Sequence, residues 1–197
     1  MALATVRAAT PDDVEEIVRI QCNTWTTAYA ELIPEAALQR LSGPAAREAW
    51  GAAVSMSGAG SGHHVLVATE GSWTVGFCAA SAVEQLDPED PTPDDARGTL
   101  AALLVEPRWG RRGHGLRLFQ AAASAIRSDG AKLGSAWVPE QDIATRAFYA
   151  RREWAADGLM RILDAGDREL REIRLVGSLE PPRTDEPDTA PPSVWDL

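Results

Sequence analysis

The chain has 197 residues, 45% of them hydrophobic, and sets 19 basic against 29 acidic side chains for a formal charge of -10. That is the size of one domain with enough apolar material for a core. The acid excess argues against nucleic acid as the main partner, since phosphate backbones need a basic face, and no run of about 18 apolar residues exists to span a membrane. Met1 to Arg7 lack the basic-then-apolar layout of a secretory signal. Cys22 and Cys78 sit in apolar segments without metal-ligand spacing, as expected of free thiols in a reducing cytoplasm.

A short strand is expected from Ala4 to Ala8. Thr10-Pro11-Asp12-Asp13 then reads as a helix start, with Thr as cap, Pro in the first turn and acids at the positive end. Val14, Ile17, Val18, Cys22 and Trp25 recur at helical spacing, up to a break near Ala28 to Ile33. Pro34 opens a second helix carrying Ala37, Leu38 and Leu41, and Pro44 a third, through Trp50 to Val54. Ser55 to Gly62 reads as a loop. Val65 to Thr69 and Trp73 to Val83 flank Glu70-Gly71-Ser72 as a hairpin. Glu84 to Asp95 is an acidic, proline-bearing excursion.

Gly98 to Val105 is almost continuously apolar, which predicts a strand buried on both faces. The helix after Gly113 is expected to bury Leu116, Phe119, Ala122, Ala123 and Ile126 and to end at Asp129-Gly130. A strand over Leu133 to Val138, a short helix over Asp142 to Arg151 and a final hairpin (Leu159 to Leu163, Glu169 to Val176) complete a domain over residues 1–179. The acidic, Pro-rich residues 180–197 read as a disordered tail. The element order implies an α/β fold: a mixed central sheet with helices on both faces and a parallel strand-helix-strand unit in its middle.

The segment Val105 to Phe119 carries the chemistry. An apolar strand runs into a turn holding Arg108, Arg111, Arg112, Gly113, His114 and Gly115, and Arg117 follows on the helix that the turn opens. Amides at a helix N-terminus are unpaired and sit at the positive end of the peptide dipoles. Glycines let an anion approach them, so the turn suits a phosphate. Surface charges are screened over about 8 Å at physiological salt, so a ligand here would feel these arginines more than the distant acids. His63 and His64 are adjacent but lack further ligands, and no metal site is expected.

Val105-Glu106-Pro107 followed by Gly110-Arg111-Arg112-Gly113-His114-Gly115 resembles the acetyl-coenzyme A signature of the GNAT N-acetyltransferases. Arg7-x-Ala9-Thr10-x-x-Asp13, Trp25-x-x-Ala28-Tyr29, Leu32-Ile33-Pro34 and the run from Asp142 to Trp154 resemble other segments of that family, so the likeness covers roughly residues 4 to 179. Three positions depart from its pattern: Gly110 for Gln or Arg, Asp142 for Asn, and Thr99 for an acidic residue on the central strand.

The resemblance implies fourth and fifth strands that splay apart, with the pantetheine arm between them. It implies coenzyme contacts from Leu103, Leu104 and Val105 of the fourth strand, from Arg111, Arg112, Gly113, His114, Gly115 and Leu116 around the diphosphate, and from Asp142 and Tyr149. Tyr149 would be the general acid toward the leaving thiolate. Glu31 and Glu84 are candidate general bases, with Glu140 and Glu172 behind them. The implied activity is transfer of the acetyl group of acetyl-CoA to a primary amine of a small molecule or peptide by a cytoplasmic bacterial enzyme, with homodimers one possible assembly. A non-catalytic acyl-CoA-binding regulatory module is the alternative. A dinucleotide-binding oxidoreductase fits poorly, because the glycine turn follows several strands and no second half of a doubly wound sheet comes after it.

Overall fold

The computed structural model describes residues 3–29, 34, 38–39, 41–82, 97–164 and 169–180. Most of the second expected helix, the excursion after Ala82, the tip of the last hairpin and the tail from residue 181 lie outside them. No helix among the described residues is long and apolar enough to cross a membrane.

Among the described residues seven strands form one sheet: β1 (Ala4–Ala8), β2 (His63–Glu70), β3 (Trp73–Ser81), β4 (Arg97–Val105), β5 (Leu133–Pro139), β6 (Ala155–Asp164) and β7 (Glu169–Ser178), in the order β1-β2-β3-β4-β5-β7-β6. Every neighbouring pair is antiparallel except β4 and β5. The longer helices among the described residues are α1 (Val14–Tyr29), α2 (Pro44–Met56), α3 (His114–Ser128) and α4 (Ile143–Ala150). This is the mixed, two-faced α/β sheet that the element order implies.

Alternation along the strands, broken on β3 by a register shift that makes Val75 an extra residue, feeds a core on each face of the sheet. Val65, Val67 and Phe77 face Ile17 and Ile20 of α1 and Val54 of α2. Ala68, Val75 and Cys78 face the other way, toward Leu118, Ala122 and Ile126 of α3 and toward Tyr149 and Trp154. Burial at this scale is the main stabilising term, about 25 cal/mol per Å² of apolar surface. Cys22 and Cys78 are both free thiols, and burial raises the Cys78 pKa to about 12.

Several boundaries differ from expectation for local reasons. Pro11–Asp13 form a 3-10 turn before α1, and α1 runs on to Tyr29, where Trp25 and Tyr29 pack edge to face. β6 begins at Ala155 because an irregularity between Ala156 and Met160, with Gly158 at φ +95°, lets the strand pair early with β7. On α3 the buried leucine is Leu118, and Leu116 is 40% exposed. Glycines seat Trp154: a Cβ on Gly134 of β5 or Gly177 of β7 would collide with its indole.

The largest departure is β4. Only Gly98 and Leu100 are fully buried, and Leu103, Leu104 and Val105 are half-buried. The reason lies in the ladder. β4 pairs with β3 from Thr99 to Val105, but with β5 only through Arg97–Leu133, Gly98–Gly134 and Thr99–Ser135. The register against β3 shifts between Ala79 and Ala80, which leaves Ala101 as an extra residue on β4. Such a bulge bends its strand and increases its twist. Beyond it β4 and β5 no longer pair, and the sheet opens as a wedge at their C-terminal ends, which is the splay that the resemblance implies.

Candidate active site

The open edge of β4 leads into the turn before α3. Val105 is followed by Glu106, whose amide donates to the Val75 carbonyl at 2.9 Å, and by a 3-10 turn at Pro107–Trp109. Burial favours protonation of the Glu106 carboxyl, but Arg19 at 2.9 Å and Arg108 at 3.1 Å outweigh it and hold its pKa below the ordinary value. Trp109 carries the guanidinium of Arg112 at 4.9 Å and that of Arg108 at 5.8 Å from its ring centre.

The backbone then turns left-handed twice, at Arg111 (φ +62°) and at Gly113 (φ +83°), the N-cap of α3. A non-glycine residue in that region costs of order 1 kcal/mol, and such strain clusters at functional sites. Arg117 is the first residue of α3 whose amide meets a backbone acceptor, the Gly113 carbonyl at 3.1 Å. Among the described residues the amides from Arg111 to Leu116 have no such acceptor, which leaves a row of donors at the positive end of a 15-residue helix.

Gly115 sits where three elements meet. A Cβ there would lie 3.4 Å from Phe148 of α4 and 3.8 Å from both Leu103 and Val105 of β4. The structure therefore brings the anion-suited turn, the free edge of β4 and the Phe148-Tyr149 pair to one corner. The turn is a cradle without side chains at its closest points, and it fits a diphosphate.

Tyr149 lies at the back of this corner, 3% exposed, against Phe148, Phe119 and Trp154. Burial pushes its phenol pKa well above the ordinary value, with the Cys78 thiol adding to the rise and Arg152 opposing it. Arg152 stacks on Phe148 and donates to the Phe148 carbonyl. No group among the described residues hydrogen-bonds the Tyr149 hydroxyl.

Asp142 is the N-cap of α4. Its carboxylate accepts from the Thr145 amide at 2.9 Å, the Thr145 hydroxyl at 2.7 Å and the Tyr29 hydroxyl at 2.7 Å. Burial first, and then this bond, raise the Tyr29 pKa. Asp142 thus joins α1 to α4. Glu172 of β7 is held by Arg161 at 2.6 Å, and Glu140 lies 3.5 Å from Arg171. Glu31 and Glu84 lie outside the described residues.

His114 differs most from a loop residue directed at a ligand. It is 1% exposed, and its Nε2 lies 2.9 Å from Glu70 at the end of β2. The other Glu70 carboxylate oxygen accepts from Arg112 at 3.1 Å. Glu70 is the residue that sequence reasoning passed over. It reads as part of a hairpin turn, and the parallel run of β2 and β4, which puts both C-terminal ends at one edge of the sheet, appears only in the folded chain.

Residues 18–154 match the model of the acetyltransferase (GNAT) family. No curated protein matches the sequence. Among solved structures, the PaiA N-acetyltransferase of Thermoplasma acidophilum in complex with coenzyme A is similar, with a TM-score of 0.69 at 15% identity over 89% of this chain and 99% of that one. YncA of Salmonella typhimurium, solved with its cofactor acetyl-CoA, gives 0.65 at 18% identity over 95% and 99%. An N-acetyltransferase from Staphylococcus aureus Mu50 gives 0.67 at 16% over 91% and 100%. At these identities the structural likeness is one of fold. The family rests on the sequence match, which spans most of the chain and includes the β4 edge, the glycine turn and α4: the chain belongs to the acetyltransferase (GNAT) family.

Proposed function

We propose that the chain is an acetyl-CoA-dependent N-acetyltransferase in which an amine attacks the thioester directly. The observation that carries this reading is the wedge between β4 and β5, with an unpaired strand edge on one side and unpaired helix amides at its mouth. A pantetheine arm is a chain of amides, and the open β4 edge at Leu103 to Val105 offers backbone partners like those of a missing strand. The diphosphate would rest on the amides of Arg111 to Leu116, with Arg111 and Arg112 supplying charge.

The chemistry needs three services. A backbone N–H of the open edge of β4 can stabilise charge that develops on the carbonyl oxygen. The amine nitrogen forms a bond to the carbonyl carbon, the C–S bond breaks, the departing thiolate takes the Tyr149 proton, and the proton lost from the newly bonded nitrogen restores the phenol by way of solvent. Burial raises that phenol's pKa, so Tyr149 carries its proton at neutral pH and has one to give. Finally, an alkyl ammonium of pKa about 10.4 must lose a proton, which at pH 7 costs roughly 4–5 kcal/mol unless a base assists. Glu31 and Glu84 are the candidates for that base.

The experiment is a panel of small amines, amino acids and peptides incubated with acetyl-CoA, with free thiol measured. Amine-dependent thiol release, with acetylated product of matching mass, is the expected result. Binding of acetyl-CoA without release for any amine would contradict transfer and favour a regulatory acyl-CoA-binding module. No binding at all would overturn the reading.

A further inference from the structure

We propose that Glu70 is a positioning residue for the anion-binding turn: it lashes both side chains flanking Gly113 to the sheet, so that the amides of the turn are set before any ligand arrives. The proposal deepens the acetyl-CoA reading above and rests on it. Glu70 ends β2, more than forty residues before the turn, and its two carboxylate oxygens are divided between the turn's two arms. Oε1 accepts from Arg112 Nη1 at 3.1 Å, and Oε2 faces His114 Nε2 at 2.9 Å. An ionised carboxylate only accepts, so the proton between them belongs to His114 Nε2.

The other holds on the two arms are a bond from Arg117 to the Arg112 carbonyl at 3.0 Å and an edge-to-face contact of His114 with Trp109, and neither ties the turn to β2. His114 is buried, and among the described residues its Nδ1 has no partner and Glu70 is the polar contact of that ring. Arg112 is 54% exposed along its side chain and rests on Trp109. Between them stands Gly113 at φ +83°, a residue with no side chain of its own to fix the turn. A glycine turn left loose would have to be ordered when the ligand binds, at an entropic cost taken from affinity. A carboxylate that grips both neighbours removes that cost beforehand.

Glu70 is a negative charge beside a site for a diphosphate. Through space alone, removing it should tighten anion binding. If its role is positioning, removing it should weaken binding instead.

Calorimetric titration of Glu70→Gln with coenzyme A decides between them, and acetyl-pantetheine, which lacks the diphosphate, serves as the second probe. Coenzyme A affinity should fall about tenfold, a usual cost of losing a charged hydrogen bond. The preference for coenzyme A over acetyl-pantetheine should fall by a similar factor, and Glu70→Asp, which keeps the charge, should recover most of the loss. Equal or tighter coenzyme A binding by Glu70→Gln would overturn the proposal. So would an equal loss for both probes, since that would mean general damage rather than a misplaced turn. A wild-type protein that binds no coenzyme A would overturn the acetyl-CoA reading and this proposal together, a result separable from a Glu70→Gln variant that binds as wild type does.

Discussion

Tyr149 sits on the boundary between packing and chemistry. Its ring is core by every measure of contact, yet no group among the described residues hydrogen-bonds its hydroxyl. A hydroxyl kept for a substrate accounts for both facts. Tyr149→Phe should therefore leave thermal stability nearly unchanged while lowering turnover about 100-fold, within the usual range for a general acid. Its effect on coenzyme affinity should be much smaller. Thermal melts, calorimetry and thiol release on the same preparation check this, and equal turnover in the two proteins would remove Tyr149 from the mechanism. The sequence placed this residue on a short helix beside Phe148, but only the folded chain shows the phenol walled in by Phe119, Phe148 and Trp154. His114 teaches the reverse lesson. Between two glycines it reads as a ligand-facing residue, and its burial against Glu70 depends on a strand that the sequence does not place beside it.

At the scale of elements, the junction of β1 with α1 shows how a local motif carries tertiary load. Thr10 and Asp13 form a capping box, with the Thr10 amide donating to Asp13 at 2.8 Å, while Arg7 of β1 grips the same carboxylate at 2.6 and 2.8 Å. The hydrogen bond from Arg7 is the main cause that lowers the Asp13 pKa to about 2; burial opposes it and Thr10 assists. A carboxylate with a depressed folded pKa stabilises the fold above its unfolded pKa and loses that contribution as pH falls through the folded value. Between pH 5 and pH 2 the stability advantage of wild type over Asp13→Asn should thus shrink by about 1–2 kcal/mol, discounted because Arg7 is half exposed. Urea midpoints at the two pH values measure this, and a constant gap would contradict it.

Capping signals of this kind were legible because they act over three residues. The bulge at Ala101 was not, because nothing in Leu-Ala-Ala-Leu-Leu-Val distinguishes a strand paired on both sides from one that swings free of β5. The apolar run suggested full burial, whereas the half-burial of Leu103 to Val105 follows from the wedge they line.

For the molecule as a whole, strand order, helix placement and the glycine turn agree with one function. The α/β class and most elements follow from periodicity and from Pro and Gly punctuation, and the turn from its arginines and glycines. What periodicity cannot supply is the meeting of distant segments: Glu70 with the turn, Tyr29 with Asp142, Gly115 with Phe148. These contacts convert a phosphate-suited loop into a corner with a strand edge on one side and a phenol behind it.

The central claim is that an acyl thioester lies in the β4–β5 wedge with its diphosphate on the amides that open α3. A crystal structure of the protein soaked with acetyl-CoA tests it most directly. The account predicts diphosphate density against Arg111 to Leu116, pantetheine along Leu103 to Val105, and the sulfur near the Tyr149 hydroxyl. Coenzyme density on any other surface, with the wedge empty, would contradict it.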